Sequence, residues 1–118
     1  MDLSGFQEWR RLDSLSLKDI PEDKWECSFV YVFRKQSTKE VLYIGCTTNL
    51  ILRMFGNFIA GAGGSTTQRI QALLLEEGFI KDTEVAWKEA PDHKSEESRL
   101  LESYFEQEGQ LPPWNKRF

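Results

Sequence analysis

The chain has two cysteines and one histidine. Cys27 and Cys46 are too few for a disulfide framework, and their spacing matches no metal-ligand signature, so free thiols in a reducing compartment are expected. His93 alone cannot make a histidine-rich metal site. No window approaches the roughly 20 consecutive apolar residues of a membrane helix, so no membrane partner is expected. The first residues include Asp2 and lack an apolar segment, so no secretion signal is expected. There is no GxSxG elbow, no zinc signature, no dinucleotide fingerprint and no P-loop ending. Nor is there an excess of positive charge. Against 19 Asp and Glu stand 15 Lys and Arg, a net charge of −4, which argues against broad, unspecific coating of nucleic acid.

What is present suffices for one core. A length of 118 residues with 40% hydrophobic and 13% aromatic content fits one globular domain, with no room for a second. The acids are unevenly spread. They crowd residues 19–26 and 92–108, whereas residues 41–75 carry Arg53 and Arg69 and no acid. One side of the folded domain is therefore expected to be more positive than the total.

Two short runs, residues 29–33 and 41–44, are rich in Val, Ile, Tyr and Phe and flank the polar segment 34–40. That pattern predicts a β-hairpin. Gly45 ends the second run, and residues 46–49 supply turn and helix-capping chemistry. From Leu50 the spacing becomes helical, with Leu50, Met54 and Phe58 four apart and Arg53 about one turn inside. Tyr31 and Tyr43 can share one face of such a hairpin. Two phenols beside an arginine suit an anionic ligand. On pattern alone, two half-buried core tyrosines and a solvated arginine are the commoner outcome.

Residues 1–13 read as a short helix with Ser4 as N-cap and Phe6, Trp9 and Leu12 as its stripe. Residues 14–25 are turn-rich and contain Pro21, with Leu15, Leu17, Ile20 and Trp25 covering the core. Gly61, Gly63 and Gly64 break the first long helix, and Ser65, Thr66 and Thr67 cap a second over residues 66–77. A glycine-rich approach to a helix start exposes N–H groups that can hold phosphate, with Ser65, Thr66, Thr67 and Arg69 as candidate contacts. The same pattern is also an ordinary loop and cap. Residues 79–88 predict a third strand. Residues 93–108 predict a last helix, with Leu100, Leu101, Tyr104 and Phe105 facing the core and Glu102 on the flank of that stripe, a place where a glutamate is ordinarily solvated. Gly109 closes the helix, and residues 111–115 (LPPWN) form a rigid tail expected to pack back on the domain.

Taken in order, these residues resemble the GIY-YIG nuclease family. Tyr43-Ile44-Gly45 is a literal match, and Phe29-Val30-Tyr31 stands where the family has Gly-Ile-Tyr, at the family's separation. YIGCTTNLILR resembles the second block, which runs through a Thr-x-Asn-Leu turn into a helix whose essential arginine falls at Arg53. Asn57 stands where the family often has histidine. Glu102, followed by Pro112-Pro113-Trp114-Asn115, is similar to the metal-binding glutamate and the terminal Pro-x-x-Asn element.

The resemblance implies a small α/β (α+β) domain, a three-stranded antiparallel sheet flanked by helices. Residues 1–27 would form an N-terminal helix and lead-in, and residues 28–115 the catalytic core. It also implies metal-dependent hydrolysis of DNA phosphodiester bonds. Glu102 would hold a single Mg²⁺ (or Mn²⁺) that keeps several waters. Arg53 would neutralise the nonbridging oxygens, Tyr31 would position or deprotonate the attacking water, and Tyr43 would hydrogen-bond in the same cluster. Gly45, Asn57 and Asn115 would support the site. Phe29 and Asn57 are departures from the pattern. With no recognisable DNA-reading module, specificity would come from the loop at residues 61–69, from a homo-oligomer or from a partner protein. The expected location is cytoplasmic, at the nucleoid, or nuclear in a eukaryote. The alternative is a noncatalytic nucleic-acid or protein-binding module on the same scaffold.

Overall fold

In the computed structural model, which describes residues 1–60 and 63–116, four strands form one antiparallel sheet. They are β1 (Arg10–Arg11), β2 (Phe29–Lys35), β3 (Val41–Thr47) and β4 (Thr83–Glu89), in the spatial order β1-β4-β2-β3. Three helices complete this α+β fold: a π-helix at Leu52–Ile59, α1 (Ser65–Leu75) and α2 (His93–Glu108).

β2 is central, and its sequence says why. Phe29 through Phe33 are all buried, an unbroken apolar run suited to a strand covered on both faces. Tyr31 and Phe33 point into a cluster with Leu50, Met54 and Phe58 from the π-helical region and Ile70 and Leu74 from α1. Val30 and Val32 point the other way, to Leu100, Leu101 and Tyr104 of α2. Each large apolar side chain so buried contributes about 1.5–3 kcal/mol. The sheet is thus sandwiched between two helical layers. Asn49 starts the π-helical segment as the sequence implies, its Oδ1 accepting from Leu52 N–H at 3.0 Å.

The sheet has four strands rather than three, and the added one comes from the stretch expected to be helical. Residues 1–13 form no α-helix; Arg10 and Arg11 pair with Val85 and Glu84 of β4, and Leu12–Ser14 make a 3₁₀ turn. The reason lies in where the apolar residues go. Phe6 is buried in the α2-side cluster and Leu12 in the opposite one, so the chain must cross the sheet edge between them. A helix would have held both on one face. The third predicted strand also begins later than its sequence suggests. Gly78 adopts φ +78°, Phe79–Asp82 form a 3₁₀ turn, and Thr83 Oγ1 donates to Phe79 C=O at 2.7 Å before β4 starts.

β3 is an edge strand, and the C-terminal tail covers it. Trp114 N–H donates to Leu42 C=O at 2.9 Å. The Asn115 carboxamide meets both backbone groups of Ile44, accepting from its N–H and donating to its C=O, each at 3.0 Å. Such pairing satisfies groups that an open edge would expose. Trp114 is buried, with its ring edge-on to Phe79 at 5.8 Å. Among the described residues no helix is long and apolar enough to cross a membrane.

Candidate active site

The hairpin register sets Phe33 opposite Tyr43 and Tyr31 opposite Gly45. Tyr31 and Tyr43 therefore fall on one face, ring centroids 6.1 Å apart, with Phe33 and Phe58 completing an aromatic cluster. They are not equivalent. Tyr31 is only 1% exposed, its ring against the Gly45 backbone, and burial, then the Tyr43 phenol, push its pKa well above the ordinary value while Arg53 opposes. Tyr43 is half-buried. Burial and the Glu97 carboxylate raise its pKa, against Arg53 and the neighbouring Tyr31 hydroxyl. Both phenols are neutral at neutral pH.

Tyr43 borders a cavity of about 150 Å³ at the covered edge of the sheet. Its walls are Tyr43 and Ile44 of β3, Glu97 and Leu101 of α2, Thr66 of α1, and Asn115 and Lys116 of the tail. Arg53 stands close enough to the phenols to lower the pKa of each. Its Nε is buried with no hydrogen-bond partner among the described residues. An orphaned buried donor is costly in isolation and suits a site where an anion completes it.

The structure separates Glu102 from this group. Glu102 is exposed and absent from the cavity wall, and the carboxylate that lines it is Glu97. Helix geometry explains the difference. Glu97 precedes Leu100 and Leu101 by three and four residues and so heads the buried stripe, whereas Glu102, five residues on, points about 140° away from Glu97. That periodicity was available in the sequence as the signal for Glu97. The neighbouring Glu96 is engaged by Lys88 at 3.1 Å and by Arg99. Glu97 also stands close to Cys46, and burial, reinforced by that carboxylate, pushes the Cys46 thiol up to about 12.

The predicted phosphate contacts divide. Ser65 and Thr66 are exposed. Thr67 is 5% exposed and turned inward, its Oγ1 donating to Gly64 C=O at 2.9 Å. Arg69 is half-buried and donates to Trp114 C=O, holding the tail rather than facing solvent. Asn57 is buried, its amide beneath Gly63. The loop at residues 61–69 includes residues 61 and 62, which lie outside the described residues. Lys116 joins the cavity wall with no signal for it in the sequence pattern.

Among the described residues no group of three or more His, Cys, Asp or Glu could encage a metal. A metal here would have Glu97 as its one carboxylate ligand. Comparison of the chain with protein-family models, curated proteins and solved structures returns no match.

Proposed function

We propose that this chain is a metal-dependent endonuclease that hydrolyses DNA phosphodiester bonds, with Glu97 in the role that the family pattern gives to Glu102. The observation that carries the reading is the meeting of Tyr43, Glu97 and Asn115 around one cavity, next to Tyr31 and Arg53. One carboxylate beside a phenol is a hard, all-oxygen donor set. It fits Mg²⁺ (or Mn²⁺), which is commonly held by one or two carboxylates and otherwise by water and phosphate. When bound, the ion supplies Lewis-acid polarisation of the phosphoryl oxygen and positive charge for the leaving 3′ oxygen.

The chain's own groups do the rest. Arg53 carries a fixed positive charge and a free Nε donor for the nonbridging oxygens, where charge builds in the transition state. Tyr43, kept neutral, orients the attacking water by hydrogen bonding rather than by taking its proton outright. Tyr31 is too buried to touch that water and supports Tyr43 from beneath, its ring 6.1 Å from the Tyr43 ring. Asn115 fixes the β3 edge on which Tyr43 stands. Sequence or structure preference would come from a second copy of the chain or from a DNA-reading partner.

The test is nicking of supercoiled plasmid and branched oligonucleotides with Mg²⁺ or Mn²⁺ against EDTA, by the wild type, Glu97→Gln and Glu102→Gln. Metal-dependent cutting by the wild type and Glu102→Gln, lost in Glu97→Gln, supports the reading. Equal cutting by wild type and Glu97→Gln overturns it. DNA binding without cutting on any substrate would replace it with the noncatalytic module.

A further inference from the structure

Lys116 is the wall residue that the phenol–carboxylate cluster leaves unexplained. It is exposed at the cavity and makes no ion pair among the described residues. Yet it does not hang from a loose end. The two residues before it are tied down by the Trp114–Leu42 backbone bond, the paired Asn115–Ile44 bonds and the Arg69 donation to Trp114 C=O. A flexible four-carbon stem thus springs from a fixed anchor on the cavity wall.

The neighbouring cations are differently employed. Arg69 is spent on the tail, and Arg53 reaches the phenols from the π-helix. Glu97 is the single acid of the wall. Once its charge is engaged by a metal, Lys116 has no countercharge within the wall. An ammonium desolvated there by a bound strand needs an anion from that strand. Arg53 is not part of the wall on which Lys116 stands, so the two cations offer an anionic strand two separate points of contact.

We propose that Lys116 is a substrate-contacting residue that holds the phosphate next to the scissile one, so that Arg53 beside the cavity and Lys116 on its wall grip two successive phosphates of one DNA strand. This rests on the nuclease reading of the cavity and deepens it. The contact is to the backbone and carries no base preference.

The test uses a fluorescein-labelled DNA duplex in EDTA, where binding is read without cutting, across a range of KCl concentrations, with every protein carrying Glu97→Gln so that the wall's one acid is neutral as it would be with a metal engaged. The proteins are otherwise wild type, Lys116→Gln and Lys116→Arg. The slope of log K against log salt should shrink by about 0.9 in Lys116→Gln and be kept in Lys116→Arg. A second arm scans single neutral methylphosphonates along the strand. One position flanking the cut should weaken binding by the protein that keeps Lys116 and leave Lys116→Gln indifferent. An unchanged salt slope in Lys116→Gln, or equal sensitivity of both proteins at every position, overturns the proposal. Wild-type cutting alongside such a result would leave the nuclease reading standing. A Lys116-dependent slope with a wild type that never cuts would instead keep the phosphate contact and remove the nuclease.

Discussion

A Cβ on Gly45 would stand 2.5 Å from both Cζ and Oη of Tyr31. The obstacle is a rigid ring in a closed cluster, not the far end of a mobile side chain. Gly45 is therefore required by the packing of Tyr31, independently of any family pattern. Gly45→Ala should cost about 1–3 kcal/mol, the usual range for overpacking a core. Urea denaturation measures it, and a loss within about 0.5 kcal/mol, as at an ordinary surface site, would refute the argument.

Glu84 is the most buried acid of the sheet, its side chain 6% exposed and held by Arg34 Nε at 2.6 Å and Lys39 at 3.2 Å. Arg34 also stacks on Trp9 at 3.6 Å. Arg34→Met strips the carboxylate of its closer partner, and stability should fall by about 3 kcal/mol. Adding Glu84→Gln should return a good part of that loss. A double variant no more stable than Arg34→Met would show that the ion pair was not the cause.

Asn115→Ala removes two hydrogen bonds from the backbone of Ile44. The expected cost is about 1–2 kcal/mol. Hydrogen exchange gives the sharper readout. The Ile44 amide should lose protection while the Val32 amide on β2 keeps it, and unchanged exchange at Ile44 would contradict the docked tail.

Cys46 tests the position of Glu97 without recourse to activity. With its pKa raised to about 12, alkylation by iodoacetamide at pH 8 should run about a thousandfold below that of a thiol of ordinary pKa. A raised pKa means that the reactive thiolate appears only as pH climbs toward that value, so the rate should rise about tenfold per pH unit. Mass spectrometry of a Cys27→Ser protein follows the reaction. Glu97→Gln should quicken it by removing the adjacent negative charge. No change in rate would separate the two side chains.

The hairpin, the bounds of α2 and the packed tail were legible because each is written in local chemistry: alternating or continuous apolar runs, Gly109 at φ +73° closing the helix, and two prolines stiffening the segment beyond it. The N-terminal stretch was not, because Phe6 and Leu12 keep helical spacing while serving opposite faces of the sheet. Spacing cannot report which layer a side chain joins. The Tyr31–Tyr43 pair follows from the hairpin, but that only Tyr43 reaches the cavity depends on α2 and the tail. Arg69 and Thr67 look like surface groups at a helix start, and only the tertiary fold turns them to the tail and the Gly64 carbonyl. Glu102 is the glutamate that the resemblance to the family pattern points to, whereas rotation about the helix axis favours Glu97.

The tail that seals the β3 edge lies after every strand and helix in chain order, yet it supplies Asn115 and Lys116 to the cavity. The strands can pair and the helices pack on them before this wall is in place. The cavity therefore closes last, and a fold whose tail has come away keeps Tyr43 and Glu97 but loses Asn115 and Lys116 from the wall.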